Sequence, residues 1–262
     1  DTIFIATPHT MHASQVVEAL KAGKNIFVEK PLATDLDRLK EIIETKRHCN
    51  KPLMVGFNRR FASISESIKK EFSNIGESLI INIRINAGFI PKEHWVQSEE
   101  LGAGRIIGEI CHFVDLLQFF TGSEPIEVYA RSVSSDNNRI MPNDNLAIII
   151  SFKDGSVGSL SYVSNGDPSL PKEHIEVFGA GKVAVLYDFK KVEIYKKGRK
   201  TRLKQVGKGH KQEVASFLKN MLEGKDAPIS FRSICLTTLT TFKIIDSLQT
   251  SLPQQINIDE LF

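Results

Sequence analysis

The chain has 262 residues, with 34 basic and 31 acidic side chains and a formal net charge of +3. This near balance, with only short basic clusters, gives no electrostatic case for nucleic-acid binding, and no apolar run approaches the roughly 18 residues of a membrane span. The three cysteines are widely spaced and indicate neither a disulfide framework nor a zinc pattern. We expect a cytoplasmic protein of one large or two ordinary domains, with no metal and no nucleic-acid or membrane partner.

Residues 1–57 alternate between strand-like and helix-like segments. Strands are predicted at residues 3–6, 25–28 and 52–57, and amphipathic helices at residues 14–22 and 36–47. This alternation is typical of the βαβ units of a parallel sheet. It ends near Asn58, so we predict a first domain over 1–57 and a second over 58–262.

Residues 58–262 predict an α+β arrangement. A helix at 64–72 precedes a strand at 79–86, a long loop and one helix at 105–120, and helices at 210–223 and 231–248 lie near the end of the chain. Between them strand follows strand, at 126–133, 146–152, 157–163, 174–178, 182–186 and 192–195, with a solvated basic hairpin face at 190–204 and a short edge strand at 255–258. The pattern favours a large, mainly antiparallel open sheet with helices on one face.

Polar residues follow the first two strands of the chain. Thr7, Pro8 and His9 come after the first strand, and Glu29 and Lys30 come after the second. Because an open parallel sheet binds small molecules at the carboxyl ends of its strands, these side chains should meet in one crevice. An isolated Glu-Lys pair is more often a solvated turn, but the matching first strand favours a site.

A second cluster of ionisable side chains lies on the predicted helix at 105–120. On an ideal helix Glu109, His112 and Asp115 lie three residues apart and share one face. A carboxylate beside an imidazole orients the ring and raises its proton affinity, which suits a general base or acid. The alternative is a histidine that only satisfies a domain interface.

The strings at both strand ends resemble one known family. Ala6-Thr7-Pro8-His9-Thr10-Met11-His12 and Glu29-Lys30-Pro31 are similar to the A-T-P-x-x-x-H and E-K-P motifs of the Gfo/Idh/MocA oxidoreductases. The resemblance implies an N-terminal Rossmann domain for NAD or NADP and a C-terminal domain whose large sheet shapes the substrate pocket. It also implies a set of cofactor-binding residues: Ala6, Thr7, Pro8, His9, His12, Glu29, Lys30, Pro31 and Asn58.

The resemblance further implies the catalytic residues. It makes Lys30 and His112 the catalytic pair and Asp115 a supporting residue. The family's Asp, four residues before the histidine, is replaced here by Gly108. Glu109 is adjacent but points about 100° away on an ideal helix, so either Glu109 supplies the carboxylate or Gly108 leaves space for a bulkier substrate group.

Substrate contacts are predicted for Lys30, Trp95, Arg105 and His112. Trp95 lies on a polar loop long enough to cover the crevice, where it either stacks on a sugar ring or anchors the loop. His12 is equally well interpreted as a packing or capping residue.

The phosphate-binding fingerprint of a dinucleotide domain is absent from the sequence. A GxGxxG string would follow the first strand, with an acidic residue about 20 positions later for the ribose. We therefore expect the sequence to begin at about the fourth strand of such a domain, as the C-terminal half of a Rossmann-type sheet. The choice between NAD and NADP stays open.

These observations predict a nicotinamide-dependent oxidoreductase acting on a sugar, cyclitol or nucleotide sugar. Two alternatives remain: a non-catalytic sugar-sensing or scaffold protein of the same fold, and an NAD-dependent glycosidase-type elimination enzyme. The resemblance implies a homodimer or homotetramer.

Overall fold

Two separate sheets organise the chain in the computed structural model, which describes residues 1–98, 100–133, 142–204 and 207–262. The first is a three-stranded parallel sheet in the order β1-β2-β3. Its elements are β1 (Thr2–Ile5), α1 (His12–Lys21), β2 (Asn25–Val28), α2 (Leu36–Arg47) and β3 (Leu53–Val55). The βαβ alternation predicted for residues 1–57 is confirmed.

The second sheet contains nine strands within the described residues, in the order β11-β10-β9-β8-β4-β7-β6-β5-β12. The β4 and β7 strands are parallel, and the other neighbouring pairs are antiparallel. The strands are β4 (Ile80–Asn86), β5 (Pro125–Ser132), β6 (Leu146–Phe152), β7 (Val157–Val163), β8 (Glu173–Gly179), β9 (Lys182–Tyr187), β10 (Lys191–Lys196), β11 (Arg199–Lys204) and β12 (Gln254–Gln255). The predicted large, mainly antiparallel sheet is confirmed.

Helices cover one face of the large sheet. They are α3 (Ser63–Phe72), α4 (Cys111–Thr121) and α6 (Phe231–Thr250), whereas α5 (His210–Leu222) packs on the three-stranded sheet through Phe217, whose ring contacts those of Phe4 and Phe27. The strands present alternate side chains to these helices: in β6, Leu146, Ile148 and Ile150 are buried while the residues between them are more exposed. The α6 helix contacts α4 and the strand β5 of the large sheet. It also contacts α2 and β3, which belong to residues 1–57.

Two local expectations need correction, while the solvated basic hairpin is confirmed, because β10 pairs with β11 and every residue of β11 is exposed. The helix predicted at 105–120 is two elements, a π-helical turn (Ile106–Ile110) that leads into α4. The last strand is shorter and begins one residue earlier than predicted, and only Gln254 and Gln255 pair with β5. Among the described helices, none is long and apolar enough to cross a membrane.

Candidate active site

A small cleft of about 200 Å³ lies between the carboxyl ends of β1 and β2 and the π-helical turn. Its size is below the ~300–1,000 Å³ typical of pockets for drug-sized ligands, so it suits one small ring. The cleft is lined by residues from both units of the chain: His9, Lys30, Arg59, Ile90, Trp95, Val96, Gly108, Glu109 and His112.

Lys30 reaches across the cleft from the end of β2. Its Nζ donates a hydrogen bond to the carbonyl oxygen of Gly108 at 3.0 Å. The two strand ends are tied together by His12, a fully buried residue whose Nδ1 and Nε2 lie 2.7 and 2.8 Å from the carbonyl oxygens of Pro31 and Thr7. His12 is thus a packing residue that positions the Lys30 segment.

His9 closes the cleft from the end of β1. Its Nδ1 lies 2.5 Å from the carbonyl oxygen of Gly102, and its ring meets that of Trp95 edge-on, with 5.1 Å between ring centroids. Burial, reinforced by the Lys30 ammonium, lowers the pKa of His9 to about 4. The ring is therefore neutral at pH 7, and Nδ1 carries the proton donated to Gly102.

Gly108 occupies the middle of the π-helical turn, directly under the His9 ring. A Cβ built on Gly108 would lie 2.8 Å from Cε1 of His9, closer than real Cβ contacts allow. The His9 ring fills the space that a Gly108 side chain would take, and the hypothesis that Gly108 leaves space for a bulkier substrate group stays a prediction. Single π-helical turns inside helices are frequent at functional sites.

His112 is the second residue of α4 and contributes the second imidazole of the cleft. Its Nδ1 is buried without a hydrogen-bond partner among the described residues, so Nε2 is the nitrogen available to a ligand. Burial, followed by the charges of Arg59 and Lys30, lowers the pKa of His112 well below its usual value of 6.5. The expectation of a raised proton affinity is wrong, and the ring is neutral at pH 7.

Glu109 faces the cleft but is engaged by other groups. Its carboxylate accepts hydrogen bonds from Tyr162 Oη and from Lys172 Nζ, the latter at 2.5 Å, and lies 3.1 Å from a guanidinium nitrogen of Arg105. Burial would raise the pKa of Glu109, but Lys172, Tyr162 and Arg105 together lower it to about 2. Glu109 is ionised at neutral pH and bound within an ion-pair network.

Of the predicted shared face of Glu109, His112 and Asp115, only Glu109 and His112 line the cleft together. Asp115 is fully buried against Arg60, whose Nε lies 2.9 Å from Oδ2. The supporting role predicted for Asp115 beside His112 is thus corrected to a structural ion pair.

Arg105 is also placed differently from its predicted substrate contact. It is 2% exposed, and its guanidinium donates to the Gly88 and Ala87 carbonyls and to Glu109. The guanidinium carbon Cζ of Arg105 lies 5.0 Å from the centroid of the Tyr162 ring. We correct its role to positioning Glu109 from behind the cleft.

The remaining predicted residues lie at or near the strand ends. Thr7 Oγ1 donates to Gln15 Oε1 at 2.7 Å, and the Glu29 carboxylate packs against Gly56. Asn58 is buried and donates to the carbonyl of Lys208 at 2.8 Å. Ala6, Pro8 and Pro31 belong to the same strand-end segments.

Arg59 is a cleft residue that the sequence interpretation missed. Its guanidinium donates to both carboxylate oxygens of Glu173, at 3.2 and 2.8 Å, and Lys208 Nζ lies 2.6 Å from the same carboxylate. Glu173 is 0% exposed. The only sequence signal was the position of Arg59 next to Arg60, because its partner lies more than a hundred residues away.

Two family profiles match the chain in succession. The profile described as "Oxidoreductase family, NAD-binding Rossmann fold" matches residues 1–57, and the profile "GFO/IDH/MocA C-terminal domain" matches residues 71–184. The chain belongs to the Gfo/Idh/MocA oxidoreductase family. The resemblance stated from the strand-end motifs is confirmed.

Curated relatives align with this chain over only part of their own length. An uncharacterized oxidoreductase, YrbE, of Bacillus subtilis is 30% identical over 68% of this chain and 53% of its own. A myo-inositol 2-dehydrogenase of Thermotoga maritima is 25% identical over 69% of this chain and 54% of its own. The chain therefore spans about half the length of these relatives.

Solved structures of other oxidoreductases share the fold. An oxidoreductase domain protein from Kribbella flavida superposes with a TM-score of 0.85 at 20% identity, covering 98% of this chain and 80% of that one. A levoglucosan dehydrogenase in complex with NADH gives a TM-score of 0.84 at 20% identity with the same coverage.

Proposed function

We propose that the protein is an NAD(P)-dependent oxidoreductase that transfers hydride to or from a hydroxyl-bearing carbon of a sugar, cyclitol or nucleotide sugar. The observation that carries the proposal is that Lys30 and His112 line one small cleft at the carboxyl ends of the parallel strands. Family membership supports the same reaction class.

The two side chains are suited to complementary roles in this reaction. A neutral imidazole accepts a proton, so Nε2 of His112 can take the proton from a substrate hydroxyl during oxidation and return it during reduction. The Lys30 ammonium, fixed by the Gly108 carbonyl, polarises the same oxygen and stabilises negative charge that develops on it. Glu109 and Arg59 bear charge on the cleft wall while remaining bound to their own partners.

The strand ends fit the nicotinamide end of a dinucleotide. The Thr7 hydroxyl, whose proton is donated to Gln15, and the Glu29 carboxylate both offer acceptor oxygens for ribose hydroxyls, and within the described residues Glu29 forms no ion pair. We assign residues 6–8, 12, 29–31 and 58 to this side of the cofactor site, with His12 and Asn58 acting through their neighbours. NAD or NADP, when bound, supplies or accepts the hydride.

The test is a screen for nicotinamide reduction with both cofactors. Myo-inositol, aldoses and nucleotide sugars are offered with NAD⁺ or NADP⁺ to the protein, and reduced cofactor is followed by absorbance. Net formation of reduced cofactor with at least one hydroxylated substrate supports the proposal. Cleavage of a glycoside with no net reduction would instead identify an elimination enzyme, and binding without either reaction would identify a sugar sensor.

We also propose that the protein forms a homodimer or homotetramer through the open face of the large sheet. Apolar side chains on β4 and β6, the two strands that flank β7, are exposed there, including Ile80 at 57% and Ile149 at 50%. Light scattering after size exclusion tests this, and a monomer at micromolar concentration would contradict it.

A further inference from the structure

We propose that His9 is a specificity residue that contacts the substrate itself. Its Nε2 accepts a hydrogen bond from a ligand hydroxyl, and its ring takes the space that a side chain at position 108 would occupy. This inference rests on the proposed function, because the hydroxyl is that of a polyol substrate.

The packing of the His9 ring explains the glycine at position 108. Gly108 has no positive φ, so its backbone conformation does not require glycine. The obstacle to a side chain is the His9 ring, whose Cε1 and Nδ1 would lie 2.8 and 3.2 Å from a Cβ at that position. His9 and Gly108 therefore act as a matched pair, and the imidazole provides the functional group at this point of the cleft wall.

The His9 ring has little freedom to move aside. Its Nδ1 is bound to the Gly102 carbonyl, and the neighbouring Thr10 Oγ1 donates to the Glu100 carbonyl at 2.7 Å, so two successive residues anchor the same loop. Trp95 contacts the ring from the cleft side. A ring fixed in this way presents one defined edge to a ligand.

The available edge is a hydrogen-bond acceptor. Because the Gly102 carbonyl can only accept, Nδ1 of a neutral His9 carries the proton and Nε2 retains its lone pair. No described residue hydrogen-bonds Nε2. A substrate hydroxyl donates to such an atom, whereas a carbonyl or ether oxygen does not.

The hydrogen bond and packing contacts of His9 favour a substrate role over the cofactor role predicted from the sequence. Its hydrogen bond to Gly102 and its packing against Trp95 and Gly108 go to residues of the 58–262 region, and its ring contact within 1–57 is an edge contact with His12, at 5.9 Å between centroids. The side chain is thus directed from the end of β1 toward the loop and the π-helical turn.

A double-mutant cycle tests the matched pair without using activity. Gly108→Ala should lower the melting temperature by several degrees in the native background, because the new methyl group collides with the His9 ring. In the His9→Ala background the same change should raise it by a few degrees, as Gly→Ala does inside a helix. Equal shifts in the two backgrounds would overturn the packing argument.

Calorimetric titration of the NAD⁺-loaded protein with myo-inositol tests the ligand contact. His9→Phe keeps an aromatic ring but removes both imidazole nitrogens, including the acceptor, so polyol affinity should fall about tenfold or more while NAD⁺ affinity is unchanged. His48→Phe is the matched control, because His48 is an exposed histidine directly after α2 that is paired with Glu44, and neither affinity should change.

The outcomes separate the two proposals. Equal myo-inositol affinity in the native protein and in His9→Phe overturns the His9 inference alone. A loss confined to NAD⁺ affinity overturns it in favour of a cofactor contact. If the native protein binds neither myo-inositol nor any other polyol of the functional screen, the proposed function fails and the His9 inference fails with it.

Discussion

Replacing Glu173 by Gln should strongly destabilise the protein. Glu173 is 0% exposed and neutralises Arg59 and Lys208, with contacts of 2.8 and 2.6 Å. Removing one partner of a buried ion pair costs about 3–5 kcal/mol, because the other charge remains buried and uncompensated. At roughly 2–4 °C for each kcal/mol in a chain of this size, the melting temperature should fall by about 6–20 °C.

The pH dependence of this loss has a defined sign. Burial alone would raise the pKa of Glu173, but Arg59 and Lys208 lower it below the value of 4.5 for an unperturbed Glu. A lowered pKa in the folded state contributes stability that is present above the unfolded pKa and is lost as the pH falls through the folded pKa. The difference between the native protein and Glu173→Gln should be full above pH 4.5 and should shrink below it.

Thermal denaturation monitored by circular dichroism between pH 4 and pH 8 measures both effects. Glu44→Gln is the matched control, because Glu44 forms exposed ion pairs on α2 and its removal should leave the melting temperature nearly unchanged. A decrease for Glu173→Gln no larger than that of the control would refute the buried-pair argument.

Three further changes test the site assignments. Asp115→Asn should lower the melting temperature by several degrees, because it breaks the buried ion pair with Arg60. The kcat/KM of the folded variant should stay nearly unchanged. A large loss of kcat at a temperature where the variant is folded would show that Asp115 has a catalytic role. Glu109→Gln removes a negative charge beside two cations, so the His112 midpoint measured by NMR titration should move further down, and an unmoved midpoint would show that Glu109 does not act on His112. Since His112 is neutral at pH 7, kcat/KM should stay constant as the pH falls past 6.5, and an acidic decrease with its midpoint near 6.5 would contradict the lowered pKa.

Sequence alone predicted the parts of the site that depend on local pattern. The βαβ alternation placed Lys30 and His9 at the carboxyl ends of neighbouring parallel strands, and those ends meet by the geometry of the sheet itself. His112 was reached through helix position and family motif. These residues need only a correct register and a correct fold.

The other features of the site depend on contacts between residues that are distant in sequence, which cannot be predicted from a single sequence. Arg59 pairs with Glu173, and Glu109 pairs with Lys172, across separations that only the folded sheet closes. The π-helical turn could not be predicted, because the sequence prediction assumed ideal α-helical spacing. The sequence also gives no sign that Arg105 is buried, and so a residue behind the cleft was predicted to touch substrate.

The most direct test of the proposed active site is the steady-state rate of His112→Asn with the best substrate from the screen, measured beside its NAD⁺ affinity. The proposal predicts that kcat falls by roughly 100-fold or more, in line with the usual contribution of general acid-base catalysis, while NAD⁺ binds as before. His94→Asn, on the loop beside Trp95, is the control and should retain most of the rate. An unchanged kcat in His112→Asn would contradict the proposal and leave His112 a packing residue of the domain interface.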